Sequence, residues 1–387
     1  MSEPPRSPTA LLADYRVLDF GRLLPSGVAT FQLAALGADV IKVERPPAGD
    51  HLRTTPPSIR SRGDMHLEIN RNKRSVALDF GTEAGQETAL RLARTADVVV
   101  ESSRPGVYRR LGLDYNAVRA VNPAVVYASF TGFGQFGPYS ALPAHGLSAD
   151  AFGSVLAASL ATCNPDGALP DSYTSAGAWA AGMYGAFAIT AALLARRGSG
   201  EGHHIDIAQA DAAAAFMFRD IALSANGVGT REGSFRFLGP RYDSYTCADG
   251  NDILLTATES KLWNAFCHAA GRPDLSAPPD APAVLPYGPD AGLHRELTAI
   301  FRSRTRAEWM KLSVERHLGM CPVNSAADLV TDPHAAQRHM VRTQDHPLGG
   351  SVTLTGYPVV VDARFADLRP APEFGQHTEE VLAECGE

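Results

Sequence analysis

The sequence predicts an α/β protein, with a large domain on a parallel sheet flanked by helices and a smaller α+β domain after it. Three observations predict this. Apolar runs with strand character alternate with helix-period segments through residues 1–225, the pattern of a sheet whose crossovers are helices. Near residue 227 the texture changes: glycine, proline and aromatic residues become frequent and a hairpin signal appears. The chain has 387 residues, 45% hydrophobic and 20% charged, enough to bury more than one core.

Residues 15–20 read as a buried strand, 21–26 as a loop and 27–36 as a helix stopped by Gly37. Residues 38–44 are the second apolar strand and 74–79 the third. A helix over 82–94 leads to a fourth strand at 96–101, and a helix over 114–121 to a fifth at 125–130. An uncharged, alanine-rich helix covers 176–195, followed by a short strand at 205–207 and a helix over 211–224. The hairpin at 245–256 turns on Asp249-Gly250. Helices follow over 261–270, 293–302 and 306–315, the first two separated by a proline-rich linker at 273–289. Strand character returns at 353–361, and 378–383 is a last short helix. The expected division is a large Rossmann-like domain at 1–225, a small α+β domain at 226–325, and a return to the large domain at 326–387.

Net charge is −7, pI is near 6.0 and no basic run occurs, which argues against a nucleic-acid partner. Cys163, Cys247, Cys267, Cys321 and Cys385 are scattered without a Cys-x-x-Cys. Reduced thiols in a cytoplasmic protein, with no disulfide framework and no metal site, are therefore expected. Residues 1–8 lack a signal-peptide pattern. The uncharged stretch 176–195 is long enough to cross a bilayer, but it consists largely of alanine and glycine and is closely flanked by charge. A buried helix is expected there, its small residues suited to close helix packing or a dimer seam. The turn from Gly21 to Gly27 is not Gly-x-Gly-x-x-Gly, and no P-loop occurs. Residues 132–137 do fit Gly-x-Gly-x-x-Gly, but Pro138 follows and no helix starts there, so this is not a dinucleotide motif. In parallel sheets ligands bind beyond the strand C-termini. The loops at those ends hold Arg22, Arg45, residues 102–110 and residues 132–145.

Several short pieces occur in a fixed order: Val17-Leu18-Asp19-Phe20, residues 36–44, Gly49-Asp50-x-x-Arg53, Asn72-Lys73-Arg74-Ser75, Arg104-Pro105-Gly106 with Leu111-Gly112-Leu113, and Gly132-Phe133-Gly134-Gln135-x-Gly137-Pro138. In this order, over roughly residues 12–381, the chain resembles the family III coenzyme A transferases, which also include carnitine-CoA transferases and 2-methylacyl-CoA racemases. The resemblance implies a Rossmann-like large domain, a small α+β domain and an interlaced homodimer. It implies coenzyme A or acyl-CoA as substrate, a carboxylic acid as second substrate, and no tightly bound cofactor. Arg45 and Arg110 match CoA-contacting positions, Lys73 and Arg74 lie at the entrance of the third strand, and Ser102 and Ser103 stand beside the expected pantetheine arm. Small anionic groups at strand ends call for such cations and backbone donors.

The family's catalytic aspartate falls on Ala178, at the start of the alanine-rich helix. A transferase needs a carboxylate there to take the acyl group from the thioester, and a methyl group cannot. Alanine stands at this position either by nature or by mutagenesis, and Asp171 is the nearest acid upstream. Three functions remain open. The first is CoA transfer through an active-site carboxylate. The second is racemisation at the α-carbon, with His145 matching the family's histidine and Glu259 its assisting glutamate. The third is non-catalytic binding of a CoA thioester. Leu23, Leu24, Phe133 and Phe136 hint at an apolar acyl chain.

Overall fold

The computed structural model describes residues 10–163, 174–228, 238–347 and 350–386. Two compact units emerge, residues 1–218 with 336–387, and residues 219–335.

The first unit is built on six parallel strands: β1 (Arg16–Asp19), β2 (Asp39–Glu44), β3 (Arg74–Ala77), β4 (Val98–Glu101), β5 (Val126–Thr131) and β6 (His203–Ala208). Their order across the sheet is β3-β2-β1-β4-β5-β6. Helices cover both faces, so the strands read as continuous apolar runs; Val98, Val99 and Val100 are all fully buried. Side chains alternate between two cores. Val17, Val40, Val126 and Ala128 point to one, with Ala29 and Leu33 of α1 (Leu24–Ala35) and Ile189 and Leu193 of α2 (Ala176–Ser199). Leu18, Ile41, Val99 and Tyr127 point to the other, with Ala89 and Leu92 of the Glu83–Arg94 helix.

The small residues of α2 set its distance from its neighbours. A methyl group built on Gly182 would lie 2.6 Å from Val28 Cβ, and one on Gly185 2.3 Å from Phe130 Cζ. The expectation of a buried helix holds for this face only. Met183, Tyr184, Phe187 and Leu194 are exposed on the other, Phe187 to 75%. Helices Gly146–Phe152 (α3) and Val155–Cys163 were not anticipated, because their alanine- and serine-rich sequence offers no clear apolar stripe. The helix expected over 211–224 is two, Gln209–Phe216 and Phe218–Ala225, broken at Met217.

The second unit carries a three-stranded antiparallel sheet, with Asp252–Thr256 between Tyr242–Thr246 and Met320–Pro322. Its core is aromatic: Trp263, Phe266, Phe301 and Trp309 are buried, with both indole N–H groups bonded to backbone carbonyls. The divisions lie at 218/219 and 335/336, whereas the sequence placed them at 225/226 and 325/326. Composition changes after the Phe218–Ala225 helix, but its contacts assign all but Phe218 to the second unit. Likewise Asp328 stays there, 3.4 Å from Arg306. The chain then returns to the first unit, where Val381 joins the core beneath β3 and the His377 N–H donates to the Ser75 carbonyl.

Candidate active site

Beyond the C-terminal ends of β1, β2 and β4 lies a cavity of about 330 Å³, lined by Arg22, Arg45, Asp50, His51, Ser103 and Tyr108 among others. A buried ionic network forms its floor. Lys42 Nζ donates to the Gly21 carbonyl at 2.8 Å and lies 3.0 Å from Asp50 Oδ2. Arg53 clasps Glu44 through Nε at 2.8 Å and Nη2 at 2.6 Å. Asp50 also caps the turn His51–Arg53 by accepting from the Leu52 N–H at 3.0 Å. Burial works against the Asp50 and Glu44 charges, but Lys42 beside Asp50 and Arg53 against Glu44 outweigh it and hold each carboxyl down at about 2. The Gly49-Asp50-x-x-Arg53 pattern is therefore the means by which the loop after β2 is tied to the sheet. Tyr108 donates from its hydroxyl to the Phe20 carbonyl at 3.1 Å.

The anion-binding candidates separate. Arg45 follows β2 at the rim, half-exposed, paired with Asp79 at 2.8 Å and lying over the Phe80 ring. Arg22, which the sequence placed only on a loop, reaches His51 Nε2 at 2.8 Å. Ser103 lines the cavity. Ser102 instead latches two loops, its hydroxyl accepting from the Arg22 N–H and donating to the Arg22 carbonyl. Arg110 does not line the cavity, and its guanidinium has no ion pair among the described residues.

Lys73 and Arg74, expected at the ligand, are corrections. Lys73 is fully buried, its ammonium within 3.3 Å of Asp19, Gly27, Thr30 and Asn70, and burial lowers its pKa to about 8. Arg74 opens β3 at the opposite edge of the sheet, paired with Asp39, Glu380 and Glu384. Both motif cations serve the scaffold, a distinction that residue type and spacing do not encode.

A second group gathers where α2 begins. Ala178 is buried, its N–H donating to the capping Ser175 hydroxyl at 3.2 Å. The Gly177 N–H donates to Asp150 Oδ1 at 2.6 Å. Gly146 opens α3 so close by that a methyl group on it would stand 3.7 Å from Ala178 Cβ. His145 is therefore brought near Ala178; its backbone carbonyl accepts from the Ser148 N–H at 2.8 Å and its N–H donates to the Ser148 hydroxyl at 3.4 Å. Asp171 lies outside the described residues. Leu23 and Leu24 pack on a core cluster with Val28 and Phe31. Phe133 forms an aromatic trio with Tyr139 and Phe152, and Phe136 is 82% exposed. Glu259 belongs to the second unit, exposed before the helix Ser260–Ala269, with Thr258 Oγ1 3.4 Å from its carboxylate. Asp150 was missed; its only signal is an acid within an otherwise uncharged helix.

A cavity of about 360 Å³ on the other side of residues 102–111 holds Glu101, Arg104, Arg109, Ser129, Gln135 and His204. There His204 stacks on Tyr115 and lies 3.0 Å from Ser129 Oγ. Among the described residues no three His, Cys, Asp or Glu side chains gather as a metal site requires.

Comparison with known proteins adds the following. The sequence model of CoA-transferase family III matches residues 12–378. A succinyl-CoA:mesaconate CoA-transferase of Haloarcula hispanica is 32% identical, covering 97% of this chain and 96% of its own. A succinyl-CoA:glutarate CoA-transferase of Mus musculus is 30% identical, covering 96% and 86%. The crystal structure of a CAIB/BAIF family protein from Brucella suis superposes with a TM-score of 0.79 at 27% identity, covering 98% of this chain and all of the other.

Proposed function

The chain belongs to CoA-transferase family III, and from that premise we propose that it moves coenzyme A from an acyl-CoA thioester to a free carboxylic acid. The observation that carries the proposal is the cavity at the ends of β1, β2 and β4, with Arg22 and Arg45 at its rim. Two guanidiniums over a rigid floor suit a nucleotide diphosphate, which accepts paired N–H donors. Arg45 gives up its exposed ion pair with Asp79 at little cost. The thioester end then runs toward the start of α2, where the positive end of the helix dipole favours developing negative charge. Proton transfer at the α-carbon has less support, because the similar proteins are named for CoA transfer between acids.

The relatives act on succinyl-CoA with mesaconate or glutarate, so a short dicarboxylate is the first acid to try here. A homodimer is part of the same reading, with the uncovered face of α2 supplying apolar surface for a second copy. Titration calorimetry with coenzyme A tests the binding. Arg45→Ala is expected to weaken it about tenfold, or ~1.4 kcal/mol. An intact protein that takes up neither coenzyme A nor succinyl-CoA would rule the function out.

A further inference from the structure

CoA exchange between two acids needs a group on the protein that holds first an acyl unit and then the coenzyme. Among the described residues, Asp150 Oδ2 is the one buried carboxylate oxygen without a hydrogen-bond partner. Asp150 is fully buried. Its other oxygen accepts from the Gly177 N–H at 2.6 Å, which fixes the carboxylate at the positive end of a helix of 24 residues. A buried anion with half its acceptor capacity unused is costly as mere scaffold. The structure beside it is pared down. Gly146 lies one turn earlier on the same face of α3, and Gly177 and Ala178 form the first turn of α2. A methyl group on Gly177 would stand 2.8 Å from Asp150 Oδ1. Ala178 is itself 1% exposed, so Asp150 and the start of α2 are closed to a similar degree in the single chain.

Resting on the CoA-exchange reading, we propose that Asp150 is the catalytic carboxylate of this enzyme, carried on α3 beside a helix start that has none of its own. Its free oxygen attacks the thioester carbonyl, the carbon–sulfur bond breaks, and coenzyme A leaves as thiolate with a mixed anhydride formed. The thiolate attacks the Asp150 carbonyl carbon and releases the donor acid as carboxylate, leaving an Asp150 thioester. The acceptor carboxylate attacks that thioester and expels the thiolate. The thiolate then attacks the acceptor's acyl carbon, giving the new acyl-CoA and restoring the Asp150 carboxylate. No proton or redox partner is consumed.

The test treats the full-length protein with succinyl-CoA, quenches with borohydride, which reduces a protein-bound thioester to an alcohol, and maps the peptides by mass. The mark is expected at position 150. Asp150→Asn keeps an oxygen for the Gly177 N–H, so the helix cap survives. Its exchange rate between succinyl-CoA and mesaconate or glutarate is expected to fall by about 10³-fold or more. A mark on another acid, or no mark with coenzyme A still bound by calorimetry, overturns the assignment of Asp150 alone. Loss of coenzyme A binding in the unmodified protein overturns the exchange reading and this proposal together.

Discussion

At the scale of single residues, charge is governed by what surrounds it rather than by residue type. Glu101 ends β4 at 5% exposure, its carboxylate accepting from the Ser103 N–H at 2.7 Å. Burial pushes its pKa up to about 7, against the lowering effect of the Ser103 and Ser129 hydrogen bonds. Between the ordinary value of 4.5 and about 7 the folded protein therefore holds a proton that the unfolded chain has lost. Its contribution to stability is fully present below that window and is lost as pH rises through it. Urea unfolding at pH 5 and pH 8 should show the native protein losing on the order of 3 kcal/mol more than Glu101→Gln over that interval. Parallel profiles for the two proteins would contradict the burial argument. Glu44 and Asp50, equally hidden, go the other way because cations meet them. Arg45 and Lys73 make the same contrast among cations, one at a cavity rim and one sealed beneath it.

At the scale of elements, α2 decides most. Gly182 and Gly185 are contact points, whereas a methyl group on Gly198 would meet nothing within 4 Å. Alanine is ordinarily the better helix residue by up to about 1 kcal/mol. Gly198→Ala should therefore raise the thermal stability by about 0.5–1 kcal/mol. Gly182→Ala meets Val28 and the Pro25 carbonyl and should lower it by about 1–3 kcal/mol. Equal melting temperatures for these two variants would mean that α1 and α2 do not approach as described. The uncharged, alanine-rich composition located this helix over 176–195, and the structure carries it on to Ser199. Its uncharged composition did not say which face would be covered, since both faces are apolar.

At the scale of the whole molecule, that uncovered face calls for a partner. Trp179, Met183, Tyr184, Phe187 and Phe216 border an open cavity of about 660 Å³. Apolar surface of this kind on a folded chain marks an interaction site. Light scattering is expected to give the mass of two chains for the native protein and a shift toward one for Phe187→Asp. An unchanged mass for a folded Phe187→Asp protein would place the contact elsewhere.

The sequence by itself determined the parallel sheet, the order of its strands and helices along the chain, the change to a smaller unit and the family. The sheet and the smaller unit follow from apolar periodicity and local turn chemistry, which each short segment carries within itself; the family follows from the resemblance carried by the ordered motifs. Only the tertiary structure decided which motif residues line a cavity. Lys73 and Arg74 stand in a motif as plainly as Arg45 does, yet one is buried against Asp19 and the other is spent at the far edge of the sheet. Tertiary structure also brought Asp150 to Gly177 across 27 residues of chain. A lone carboxylate in an alanine-rich segment has no local pattern to announce it. Its significance comes from the unpaired oxygen and the helix start beside it, and both exist only once α3 and α2 have packed.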